Sequence, residues 1–129
     1  MKASYFILAF SLWVSLVSFT TVRNEPQFDR TSVSVKDSDV FYEFSATYDP
    51  AKTGKVQSYL DDHLRQRGDA SFKNAELDAT MTLNDKTVFY IKSSPGKLLI
   101  KFDKRRNSSK AYARFKKLGD DLRAFLTDK

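Results

Sequence analysis

The chain has 129 residues, 41% hydrophobic, 14% aromatic and 29% charged, with 22 Lys+Arg against 16 Asp+Glu for a net charge of +6. That length fits one domain, and the apolar and aromatic content is too high for a disordered chain. There is no cysteine and only one histidine, His63. Disulfide scaffolds, thiol enzymes, cysteine zinc sites and multi-histidine metal centres are therefore excluded.

Residues 1–21 read as an address. Lys2 gives a short positive start, residues 5–17 are an apolar run, and the next charge is Arg23. This is the order of a secretory signal peptide. The run falls short of the roughly 20 apolar residues of a spanning helix. An uncleaved anchor is the alternative, and membrane contact is expected only if residues 5–21 stay uncleaved. Ser18, Phe19 and Thr20 offer small residues at suitable spacing but no Ala-x-Ala, and no cysteine follows to carry a lipid. The expected product is exported, periplasmic or secreted, with a core held by packing alone. Residues 22–32, with Pro26, read as a linker or extended arm. Residues 33–129 read as a single domain.

Residues 40–48 alternate, with Val40, Tyr42, Phe44, Ala46 and Tyr48 on one side and Phe41, Glu43, Ser45 and Thr47 on the other. The pattern predicts a half-buried strand, with residues 32–35 pairing to it across a turn at 36–39. Residues 55–67 predict a helix with Val56, Tyr59, Leu60, His63 and Leu64 on one stripe, an Asp61–Arg65 pair and Gly68 as the stop. Three strands follow. Loops at 84–86 and 94–97 would set Met81 opposite Phe89, Ile91 opposite Ile100 and Phe89 opposite Phe102, all on one face. Residues 108–126 predict the last helix, from Ala111, Phe115, Leu118, Leu122, Phe125 and Leu126, capped by Asn107 or Ser108 and weakened slightly by Gly119. The predicted order is β-α-β-β-β-α. Its simplest burial is a two-layer α+β domain, an antiparallel sheet of about four strands with both helices on one face.

Charge is uneven along the chain. Residues 23–85 hold 8 basic and 12 acidic side chains, and residues 86–129 hold 13 basic and 4 acidic. This polarity points to an anionic partner for the second part, or to self-association of unlike parts. The densest basic point is Lys104-Arg105-Arg106, at the predicted start of the last helix, where cations oppose the helix dipole. Arg105, Arg106 and Lys110, with the Ser108 and Ser109 hydroxyls, form a candidate anion site that Arg114 and Lys117 extend at helical spacing. A solvated charged face is the plainer reading of the same run. Asn107-Ser108-Ser109 also fits the N-glycosylation pattern. The outer sheet face would carry Thr80, Tyr90, Lys92, Leu99 and Lys101, an aromatic and basic mixture of the kind that stacks and neutralises nucleotides, or ordinary strand surface. Asp61-Asp62-His63 does not converge as a metal site, and His63 reads as a core-edge residue.

The helix, three-strand, helix order over residues 55–126 is similar to the layout of double-stranded-RNA-binding domains. The resemblance would place a basic cluster at Lys110, Arg114 and Lys117. The extra first strand and the export segment depart from that family, and nucleic acid is not an expected partner. The expected function is a small exported, non-enzymatic binding or structural module. It would contact an anionic polymer, a lipid headgroup or an acidic protein surface through the basic last helix, without a cofactor or metal. The alternative is a protein-binding inhibitor or adaptor that uses an edge strand or the 93–97 loop. A small hydrolase comes third.

Overall fold

A computed structural model describes residues 30–128. The expected signal peptide and most of the expected arm lie outside the described residues. Alternation sets the first two elements. β1 (Ser32–Asp37) and β2 (Phe41–Thr47) form an antiparallel hairpin that pairs Val33 with Ala46 and Val35 with Phe44. Lys36 and Asp37 belong to the strand, not to the turn. The turn is tighter than expected because the Ser38 hydroxyl accepts from the amides of Val40 and Phe41, at 3.3 and 3.0 Å.

A short 3-10 turn, Pro50–Lys52, leads into helix α1 (Thr53–Leu64). The helix ends before Gly68, and the expected Asp61–Arg65 pair does not form. Asp61 instead accepts from the Ser71 hydroxyl (2.6 Å) and the Phe72 amide (2.7 Å). Arg65 has left the helix, and its Nε donates to the Asp69 carbonyl. This exchange pins an irregular segment and inserts Phe72, 2% exposed, into the core. Periodicity does not reveal Phe72, because a lone apolar residue in a loop has no period.

β3 (Leu77–Thr82), β4 (Val88–Ser94) and β5 (Lys97–Asp103) form the meander, with Met81 opposite Phe89 and Ile91 opposite Ile100 as the alternation requires. The 84–86 loop closes through Leu83 N–H to Thr87 O (2.9 Å), with Lys86 at φ 75°. That is the left-handed position a three-residue hairpin needs. The second loop is a two-residue turn, Pro95 then Gly96 at φ 79°. A Cβ at Gly96 would stand 2.9 Å from the Tyr48 carbonyl.

The sheet has five strands in the order β1-β2-β5-β4-β3, all antiparallel. The first hairpin adds a strand to the expected four, so the order is β-β-α-β-β-β-α. It also extends the sheet beyond the three-strand meander on which the RNA-binding resemblance rests. Helix α2 (Ser109–Thr127) is capped by Ser108, whose Oγ accepts from Ala111 N–H at 3.0 Å.

Both helices cover one face. Val56, Leu60 and Leu64 of α1 and Ala111, Phe115, Leu118, Leu122 and Leu126 of α2 share a single core with Tyr42, Phe44, Ile91, Ile100 and Phe102. Phe115 seats α2, with ring centroids 4.9 Å from Phe89 and 4.7 Å from Phe102. Contacts of this kind each contribute about 0.5–1.5 kcal/mol beyond the area buried. Gly119, an apparent weak point of the helix, lies where Tyr42 passes beneath it. A Cβ there would fall 1.8 Å from the Tyr42 hydroxyl. Among the described residues, no helix is long and apolar enough to cross a membrane.

Candidate functional site

The two helices leave the other face of the sheet bare among the described residues. Strand alternation decides what it displays. Phe41, Glu43, Ser45 and Thr47 of β2 point to it, as do Lys97, Leu99, Lys101 and Asp103 of β5 and Tyr90, Lys92 and Ser94 of β4. Register lines them up across strands. One row runs Lys36, Glu43, Lys101, Tyr90, Thr80. Thr80, Tyr90, Lys92, Leu99 and Lys101 share this face as the alternation predicts. Phe41 is the addition. It is 48% exposed, the single large hydrophobic residue in that state among the described residues. Its outward position follows from the strand pattern.

Arg105 and Arg106 also reach this face, although they do not belong to the last helix. They lie in a 3-10 turn, Lys104–Arg106, directly after β5, begun by the Asp103 carboxylate accepting from Arg105 N–H (2.9 Å). The same carboxylate accepts from Arg105 Nε (3.1 Å) and Nη2 (2.9 Å), which holds the guanidinium 5.4 Å from the Phe41 ring centroid. The Arg105 side chain stays 64% exposed. Arg106 lines a hollow of about 200 Å³ with Phe41, Thr80, Tyr90 and Lys101. Lys101 lies 6.0 Å from the Tyr90 ring centroid, and the Tyr90 hydroxyl donates to Asp78. Among the described residues, neither Arg106 nor Lys101 has a carboxylate within salt-bridge distance.

The other residues of the expected anion site are elsewhere. Ser108 serves as the helix cap, while Ser109 and Lys110 are exposed in the first turn of α2. Arg114 turns to the β3–β4 loop and binds Asp85 at 2.6 Å. Lys117 pairs with Asp121 at 3.3 Å, one helical turn on. The seven residues therefore do not converge. Part of the charge polarity is also used internally, because Asp37 meets Lys104 at 2.7 Å and Asp85 meets Arg114. Acids from the first part of the chain answer cations that oppose the dipole of α2.

Two polar residues act as joints. His63 bridges the helices at the core edge, with Nε2 2.8 Å from Asp121 Oδ2 and Nδ1 2.9 Å from the Tyr59 carbonyl. Asn107 locks the start of α2 to β4. Its Nδ2 donates to the Val88 and Asp103 carbonyls, both at 2.9 Å, and its Oδ1 accepts from Val88 N–H at 2.8 Å. The 93–97 loop is held too: Gly96 N–H donates to Thr53 Oγ1 (3.0 Å) and its carbonyl accepts from Tyr48 N–H (2.9 Å).

Four aspartates that accept from cationic or hydroxyl donors, Asp37, Asp85, Asp103 and Asp121, are each lowered below the ordinary aspartate value of 3.8. Hydrogen bonds from Lys104 and Tyr112 lower Asp37. Burial raises Asp85, but bonds from Arg114 and Thr87 together outweigh it. Arg105 lowers Asp103, and His63 lowers Asp121. The folded state thus favours the charged carboxylates. Their contribution is complete above the unfolded value and is lost as pH falls through the lower folded values. The melting temperature is expected to drop as pH falls below about 4 and through the lower folded values. A melting temperature that rose over that interval would contradict these assignments.

Comparisons with protein-family models, with curated proteins and with solved structures each found no match to this chain.

Proposed function

We propose that the chain is a small exported, non-enzymatic binding module whose open sheet face contacts an anionic partner. The carrying observation is the balance of charge on that face. Lys36, Lys92, Lys97, Lys101, Arg105 and Arg106 are there against Glu43, Asp78 and Asp103. Phe41 and Tyr90 add apolar area beside those cations. A partner with negative charge and some apolar surface complements both features. The sheet is favoured over the last helix because Arg114 and Lys117 are paired with carboxylates and leave Lys110 alone of the candidate cations on the helix. By contrast, Lys36, Lys92, Lys97, Lys101 and Arg106 have no carboxylate within salt-bridge distance among the described residues, and of the cations on the sheet face Arg105 is the one so paired, with Asp103.

The test is retention of the full chain on an immobilised sulfated polysaccharide under a salt gradient. Arg105→Gln with Arg106→Gln should elute at clearly lower salt than the parent chain, since released counterions follow the contacts made. Lys116→Gln with Lys117→Gln removes the same charge from α2 and should elute close to the parent. Equal shifts for the two pairs would mean bulk charge alone and would overturn the proposal.

A further inference from the structure

We infer that the far end of the open face holds a site for one tetrahedral oxyanion, a phosphate or sulfate group, between Lys92 and Lys97. This rests on the anionic-partner reading and names the chemical group that the partner presents. The register builds the site. Lys97 of β5 lies directly between Thr47 of β2 and Ser94 of β4. One row on, Leu99 lies between Ser45 and Lys92. Lys92 and Lys97 are therefore diagonal neighbours across β4 and β5, close enough for two long ammonium side chains to reach a common point.

These residues line an open hollow of about 260 Å³, with Ser32 at its β1 side. Among the described residues, no carboxylate lines it. Asp78 pairs with Lys92 in register on β3, but its carboxylate accepts the Tyr90 hydroxyl, and no ion pair forms with Lys92. Two like charges set diagonally on a sheet repel, and among the described residues no acid within salt-bridge distance of either relieves them. A group with several acceptor oxygens would relieve them. The ammonium groups supply charge-assisted donors, the hydroxyls supply neutral ones, and Leu99 gives an apolar floor for the carbon side of an ester.

The Arg106 hollow at the opposite end does not offer the same chemistry, since Asp103 lines it. A planar carboxylate directs its acceptor sites within one plane, whereas a tetrahedral group spreads its oxygens in three dimensions toward ammonium groups and hydroxyls that come from different strands, so the tetrahedral group fits the donor set better.

The experiment follows backbone amide resonances of the full chain during titration with inorganic phosphate, inorganic sulfate and phenyl phosphate. Saturable shifts should appear in residues 45–47 and 92–99. Lys97→Gln and Lys92→Gln should each weaken binding about tenfold, the effect of losing one charge-assisted hydrogen bond. Tighter binding of phenyl phosphate than of phosphate identifies an ester as the natural group; equal binding identifies the free ion. No saturable shift, or shifts unchanged in both lysine variants, would overturn the inference. Polyanion retention that still depends on Arg105 and Arg106 would in that case leave the broader reading standing. Loss of both would overturn both.

Discussion

Gly119→Ala should destabilise the fold by about 3 kcal/mol or more, although glycine to alanine normally strengthens a helix by about 1 kcal/mol. The reason is the sheet beneath. The new Cβ would stand 1.8 Å from the Tyr42 hydroxyl, 3.1 Å from Tyr42 Cζ and 3.3 Å from Phe44 Cδ2. A buried aromatic side chain and the helix backbone would both have to move. The Tyr42 hydroxyl is itself poorly placed, since it is buried and has no hydrogen-bond partner among the described residues. Burial, and after it the charges of Asp120 and Asp37, push the phenol well above its ordinary value, so it stays neutral. Tyr42→Phe removes an unsatisfied hydroxyl and should be neutral or stabilising by up to about 1 kcal/mol. The double variant should recover most of the loss, because only the looser contacts remain. Denaturant unfolding of the four proteins gives the coupling directly. Additive effects would show that Tyr42 is not what Gly119 makes room for.

Asn107→Ala should cost about 3 kcal/mol. It leaves the Val88 amide and the Val88 and Asp103 carbonyls without their side-chain partner at a half-buried site. Asn107→Asp keeps the acceptor but turns a carboxylate oxygen toward two carbonyls, and should be at least as damaging. The same geometry bears on the Asn107-Ser108-Ser109 pattern. The amide nitrogen that would carry a glycan is the one that donates twice into the fold, and the Ser108 hydroxyl is the helix cap. Chain made in a eukaryotic secretory host should show the unmodified mass once folded. A glycan at Asn107 with an unchanged melting temperature would contradict this role.

Elements with a strict period were legible in the sequence. The alternation in β2, β4 and β5 fixed both the core residues and the outer face, and the three-four spacing in α2 fixed its buried stripe. Features that depend on one side chain meeting a distant one were not. Phe72 has no period, Asp61 turns from its helical neighbour to a loop amide, and Gly119 reads as a flaw in the helix because no local pattern shows Tyr42 beneath it. The candidate site divides in the same way. Which residues face outward follows from alternation. Which cations remain free depends on distant acids, Asp85 for Arg114 and Asp37 for Lys104, and no local pattern encodes those pairs. The basic cluster around residue 105 was visible; that its two arginines serve the sheet and not the helix was set by the 3-10 turn at Asp103.

On the proposed reading, the open sheet face is where an anionic partner binds. The most direct test is an amide perturbation map of the chain during titration with a soluble sulfated polysaccharide at low salt. Perturbations should gather on β2, β4 and β5 and on Arg105 and Arg106, and should fade as salt is raised. Perturbations confined to Ser109, Lys110, Arg114 and Lys117 of α2, with the sheet unaffected, would contradict it.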